Sequence, residues 1–487
     1  MYKFSTVADR QHSGGLDLRC SRLFSSMCTR LLWMLGIAGT TLLAGCGGSA
    51  TGSQNPQSVS VQVASGSVMP AAVATQVGTG AWTAATLQNG QFTIAIPADT
   101  QNYAYAFVCP ASSQGVGTSN GNTITEISEY IFEQSVGDGT SPTISTCPNP
   151  NPSPSSPAPP SPKVNTVSLT VDASAIPNTA AIATYSSLSA FFYNLGGFDW
   201  QDSPPLSGNK GTLNLQLTSG TTDIAVVAYD QNYNPLATYI LYSQTIPGPI
   251  NGGNPVVLSP SDATSLVTVN YQNPPSGWTN PFLFASFVTQ NNGVFVPLEN
   301  YSLSGASYYA IPASQQKPGG LYWIETGVSY PEANSNFMGN VSVGLTSQNP
   351  VPSVTLPAPL PTSDEVATVA TWPTFNIAYA GFSNLGLTAS NWQATLSWQV
   401  PDPYIYSQSP STYYSLSVMA TSAYLSGATT LPVQDLSSIP GFIAPPSTGN
   451  SVQWSVSVWG QNDTNGSSMQ SGLAYANAEV SGSYTAP

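Results

Sequence analysis

The chain has 487 residues, with 8 Lys and Arg against 22 Asp and Glu, a formal charge of −14. Neutralising phosphates needs clusters of Lys or Arg, so this balance excludes nucleic acid as a partner. Hydrophobic residues make up 41% and aromatic residues 10%, which excludes a disordered polymer and allows several buried cores.

Near the N-terminus, Arg30 precedes an apolar run from Leu31 to Leu43, and small residues follow. This is the order of a secretory signal. The run covers about 13 residues, roughly 20 Å as a helix, too short for a hydrocarbon core of about 30 Å. The ending Leu43-Ala44-Gly45-Cys46 resembles the lipobox of bacterial lipoproteins. That resemblance implies that residues 1–45 are a signal peptide and that Cys46 becomes an N-terminus carrying diacylglycerol and palmitate. The alternative is an ordinary cleaved signal that happens to hold a cysteine. Residues 1–26 would make a long leader, so Met27 is a second candidate start. Gly47, standing where an Asp would retain the protein, implies an outer-membrane address facing either the periplasm or the cell surface. Residues 46–58, rich in Gly, Ser, Thr and Gln, read as a lipidated flexible tether.

Removal of the leader changes the chemistry. It takes away Lys3, Arg10, Arg19, Arg22, Arg30 and the one histidine, His12, leaving Lys163, Lys210 and Lys317. With Asp9 and Asp17 also lost, three lysines face twenty acids, a side-chain charge of −17. Such a chain has few ion pairs to lose when carboxylates are protonated, which suits an acidic environment. A compositional habit of Thr- and Ser-rich secreted β-proteins is the competing explanation.

Beyond the tether, short alternating or β-branched runs recur between Gly, Pro, Asn and Ser. They are Val59–Val63, Phe92–Ile96, Tyr103–Val108, Val167–Val171, Leu213–Leu217, Ile224–Tyr229, Val267–Tyr271, Leu396–Val400 and Val452–Val458. Period two with turn punctuation predicts strands, and Thr125–Phe132 is ambiguous. Many short strands at this spacing predict an all-β chain of tandem β-sandwiches, of immunoglobulin-like or fibronectin-like kind. Eight of the fifteen residues in Pro148–Pro162 are proline, so 148–164 reads as a linker able to span roughly 45 Å. Softer breaks then give sandwich domains at 59–147, 165–259, 265–357 and 365–485.

A shared unit runs through the first three segments: a glycine turn, a strand, then a second apolar strand. It is seen at Gly90–Ile96 with Tyr103–Cys109, at Gly211–Leu215 with Asp223–Tyr229, and at Gly305–Ile311 with Gly320–Ile324. The first segment also resembles uncharacterised bacterial lipoproteins with β-rich repeat modules, through Gly80, Trp82, Gly90, Phe92, Cys109 and Cys147. This resemblance covers under a fifth of the chain and brings no activity with it.

Cys109 and Cys147 are the cysteines left beyond Cys46, and in an exported protein they are expected to form a disulfide. Two cysteines without histidine do not make a metal site. Gly117–Gly121 matches the GxSxG pattern of serine hydrolases, but the mature chain has no histidine to serve as base, so a loop is expected. Asp230–Asn234 begins like a calcium loop, yet Pro235 and Leu241 stand where glycine and glutamate are required, so a hairpin turn is expected there. Asn462–Gly466 reads the same way. Glu126, Glu129, Glu133, Glu299, Glu325 and Glu332 are the acids that a carboxylate-only glycoside hydrolase would draw on. Trp200, Trp278, Trp372, Trp392, Trp454 and Trp459 are core residues or a sugar platform.

The expectation is a non-catalytic cell-envelope lipoprotein in an adhesion or structural role. It needs no cofactor, meets the membrane through its lipid, and has an envelope protein or polysaccharide as its partner. The alternatives are a glycan-binding surface lipoprotein and the carboxylate-only hydrolase.

Overall fold

A computed structural model describes residues 57–64, 67–114, 124–144, 147, 164–187, 206–289, 294–299, 306–331, 338–360, 366–367, 372–401, 411–461 and 472–487. The tandem β-sandwich class is the one adopted: strands dominate and no sheet closes into a barrel. Each alternating run lies in a strand, although Val267–Tyr271 is broken at Val269 into Ser265–Thr268 and Asn270–Gln272. The ambiguous Thr125–Phe132 is the middle of strand Ile124–Ser135.

One strand order recurs along the chain. In the first segment Gln57–Val63 runs antiparallel to Gln91–Ile96 and parallel to Thr143–Ile144. The facing sheet holds Thr83–Ala84, Ala72–Val77, Asn102–Val108 and Ile124–Ser135, in that order. Setting aside the short Ser112–Gln114, the seven strands in chain order form sheets 4-1-7 and 3-2-5-6. The second segment repeats this: Lys210–Thr218, Val164–Asp172 and Val256–Val257 face Leu206–Ser207, Ala181–Ser186, Gly220–Tyr229 and Pro235–Ile246. In the third, the broken first strand pairs with Ser307–Ala310 through its first half and, in parallel, with Ser353–Thr355 through its second. Its other strands run Phe295–Pro297, Thr279–Val288, Leu321–Pro331, Met338–Ser347. The fourth segment keeps the order with Ser411–Thr421, Ala389–Pro401, Ser451–Gln461 and Gly472–Thr485, over Thr374–Asn376 paired to Thr430–Pro432. Among the described residues it has no seventh strand. The glycine-led unit read from the sequence is the fourth and fifth strand of a copy, which lie in opposite sheets.

Three of these copies are fused edge to edge. Sixth strand Met338–Ser347 pairs antiparallel with sixth strand Gly472–Thr485, joining the third copy to the fourth. Third strand Ser411–Thr421 of the fourth copy then pairs in parallel with sixth strand Ile124–Ser135 of the first. The result is a 13-stranded sheet drawn from the first, third and fourth segments. Fusion removes open edges that would otherwise invite aggregation. The sixth strand of the second copy is guarded differently. Thr264 donates its amide to Leu236 O, and Ile240 donates its amide to Gln315 Oε1 at 3.0 Å.

Joint chemistry follows from side-chain size. At the joint of the third and fourth copies, Gly344 lies opposite Tyr475, and a Cβ on Gly344 would come within 2.0 Å of that ring. The ring covers the glycine because nothing else fits beneath it. Gly344→Val is therefore expected to cost about 2 kcal/mol by overpacking, read as a lowered denaturation midpoint; an unchanged midpoint would show that the joint is loose.

Strand Asn102–Val108 shows why one segment can serve two layers. Tyr103, Tyr105 and Phe107 fill the first sandwich, with Tyr105 stacked 4.9 Å from Phe132 and Phe107 5.2 Å from Tyr130. Ala104, Ala106 and Val108 are buried on the opposite face, where small residues let another layer approach. That layer is chain 435–443 of the fourth copy, whose Gly441 would place a Cβ 2.9 Å from Ala72 Cβ.

Candidate functional site

The residues singled out by sequence do not gather in one place. Cys46, Trp200, Glu332, the Gly117–Gly121 loop and Asn462–Gly466 lie outside the described residues. Cys109 and Cys147 are joined as a disulfide, with Cα atoms 5.2 Å apart. Asp230 is spent on a turn between the fifth and sixth strands of the second copy. Its Oδ1 accepts the amides of Asn232 and Asn234 at 2.8 and 2.9 Å, and its Oδ2 accepts from Asn234 Nδ2. This is a hairpin turn with its acceptor already engaged.

Most of the tryptophans are core. Trp372, Trp392 and Trp454 are buried, as is Trp398, which stacks on its cross-strand neighbour Tyr414 at 5.4 Å and meets Trp372 edge-on. Trp459 is half-buried beside Tyr475. Trp278 is 39% exposed and rests edge-on against Tyr271. A flat platform of several exposed tryptophans is not present among the described residues.

The acids fall on two copies. Glu299 and Glu325 are half-buried in the third, whereas Glu126, Glu129 and Glu133 share strand Ile124–Ser135. Alternation sends Glu129 and Glu133 to one face and Glu126 to the other. Four residues of extended chain separate the Glu129 and Glu133 backbones by about 13 Å. Both are buried.

A cleft of about 170 Å³ lies elsewhere, between the second and third copies. It is lined by Asp223, Tyr242 and Ser243 from the fifth and sixth strands of the second copy, and by Thr289, Lys317, Pro318 and Gly320 of the third. A β-bulge shapes its floor: Thr222 pairs with Gln244 but Ile224 with Leu241, so Asp223 opposes two residues. Ser243 takes φ 55°, and its amide donates to Asp223 Oδ1 at 2.8 Å. Lys317 Nζ sits 4.0 Å above the Tyr242 ring, whose hydroxyl donates to Gln315 O and accepts from the Lys317 amide. Burial raises the Tyr242 hydroxyl above its usual range, with the Lys317 amide opposing. An apolar cavity of about 150 Å³ takes one benzene, so this cleft has room for a single six-membered ring. Carboxylate, hydroxyls and ammonium together suit a hydroxylated one.

Sequence reasoning missed this cleft because its residues are separated by some ninety positions and carry no motif. The available signal was scarcity: Lys317 is one of three lysines after Cys46. No family model matches the chain, and no curated protein matches it.

Proposed function

We propose that the chain is a non-catalytic envelope lipoprotein, anchored through Cys46 and acting by contact in adhesion or envelope architecture. The observation that carries this reading is the shared 13-stranded sheet. It makes three of the four copies one stiff body, a form suited to presenting surface at a distance from a lipid tether. The acids weigh in the same direction, since Glu129 and Glu133 are buried inside the sheet rather than open to a substrate. The membrane contact is the acyl chain, and the outer membrane is the address that Gly47 favours. The partner is an envelope protein or polysaccharide.

Glycan binding is the second reading, favoured by the Asp223–Lys317 cleft and by Trp278. Retention on insoluble polysaccharide separates it from a purely structural role. The anchor is tested by feeding an alkyne-labelled palmitate to cells producing the full chain. Label is expected on the wild type and absent from Cys46→Ala. Equal labelling of both, or a mature N-terminus other than Cys46, would refute the reading.

A further inference from the structure

Two glutamates stand at the joint of the first and fourth copies. Glu129 is 1% exposed and Glu133 is 2% exposed. On the parallel side they pair with Leu416 and Ala420 of Ser411–Thr421, and on the antiparallel side with Val108 and Ala104 of Asn102–Val108. Ile131 separates them, flanked in turn by Val418 and Ala106. Both carboxyls therefore lie in an apolar stripe that exists only because the two copies meet. Chain 435–443 of the fourth copy closes over it, the Ile443 amide donating to Glu129 Oε2 at 2.9 Å.

An ionised carboxylate in such a place needs a cation or several donors. The ionisable groups on the elements packed around the pair are Asp435 on the covering chain, Tyr424 on the short helix Ser422–Leu425, and Asp138 just after the glutamate strand. Glu126 and Tyr130 share the strand but face away, as do Tyr103 and Tyr105 on the neighbouring one and Tyr413, which pairs with Glu126; Tyr414, paired with Ile127, is on the glutamates' face two residues before Leu416. None of these is a base. The two lysines among the described residues are engaged in other copies, Lys210 with Asp172 at 2.6 Å and Lys317 over Tyr242.

We infer that this joint is held by protons: it closes with Glu129 and Glu133 as neutral carboxylic acids, and their ionisation loosens the first copy from the fourth. Burial pushes Glu129 up to about 8, the Ile443 amide opposing and Asp435 adding to the rise. Burial likewise pushes Glu133 up to about 7. An acid raised on folding binds its proton more tightly in the folded chain. Its stabilisation is fully present below the ordinary carboxyl value of about 4.5 and is lost as pH rises through the folded values. An opposing set acts only in stronger acid. Asp172 is held well below the usual range by Lys210 and Ser174, while burial works to raise Asp230 and Asp435 and is outweighed by their turn hydrogen bonds. The chain is thus most stable in mildly acid surroundings, the environment that its lack of bases also suits.

The test is the pH dependence of unfolding for the chain from residue 47 onward, compared with Glu129→Gln, Glu133→Gln and the double variant. Each glutamate should raise the unfolding constant by up to about tenfold per pH unit above 4.5, until its folded value is passed. Glutamine carries no such charge, so the double variant should be nearly flat over that range. Hydrogen exchange should show strand 411–421 and chain 435–443 losing protection at pH 8.5 in the wild type alone. A second measurement needs no variant: the infrared band of protonated carboxyl groups should persist in the folded protein near pH 6. A wild type whose stability is level from pH 4.5 to 8.5, or the absence of that band, would overturn the inference.

Discussion

Deleting residues 57–147 is expected to cost the fourth copy its fold, not merely to remove a module. The deletion uncovers one edge of strand Ser411–Thr421, where nine of its eleven residues, 412–420, pair in parallel with Ile124–Ser135. Leu416, Val418 and Ala420 in that strand are buried, and so are Phe442 and Ile443 in the chain that closes over the joint. Fully burying a large apolar side chain contributes about 1.5–3 kcal/mol, so even partial exposure of this group forfeits roughly 5 kcal/mol. That is comparable to the whole stability of a typical protein, about 5–15 kcal/mol. Polar ties go as well: Thr421 Oγ1 to Asp138, Asn102 Nδ2 to the Tyr424 carbonyl, and the Ile443 amide to Glu129. A long apolar edge without its partner is also an aggregation site. Chain 164–487 expressed alone should therefore elute as aggregate or remain insoluble. A soluble monomer with a cooperative melt would mean that the copies are independent and that the shared sheet is incidental.

The strands were legible because period two and glycine or proline punctuation are local properties. The unit led by Gly90 or Gly211 was legible for the same reason, since each marks the turn into a fourth strand. The parallel joint was not. Its two strands lie nearly three hundred positions apart, and no residue pattern records which sixth strand meets which third. Strand Ile124–Ser135 was ambiguous for a further reason. Its glutamates at 126, 129 and 133 fall at spacings of three and four, which imitates the polar face of a helix. The structure resolves this by covering both faces of the strand. Tyr130 and Phe132 then fill the first sandwich while Glu129 and Glu133 enter the joint, a burial of acid that a rule of polar residues outward cannot anticipate. The cleft between the second and third copies was hidden likewise, because Asp223 and Lys317 acquire meaning only once Tyr242 lies between them.

Loss of the Cys109–Cys147 disulfide should weaken the first copy by about 4 kcal/mol on the chain-entropy model, for a closed loop of 38 residues. Both cysteines are buried against Ile144, Phe92 and the rest of the first core. The loop they close contains strand Ile124–Ser135 and the short seventh strand Thr143–Ile144. That seventh strand has just two residues, and it is tied to the first by bonds such as Gln62 N to Pro142 O and Ala64 N to Ile144 O. So short a strand cannot hold register unaided, so the crosslink fixes its far end. Cys109→Ser with Cys147→Ser should lower the denaturation midpoint and remove exchange protection first from residues 57–64 and 143–144. Because Ile124–Ser135 also carries the joint, the loss should spread to strand 411–421. Alkylation with and without reductant checks the premise: the chain from residue 47 onward should take up no label until reduced, and then two equivalents. Labelling of the unreduced chain, or a double variant as stable as the wild type, would show that the loop is closed by packing alone.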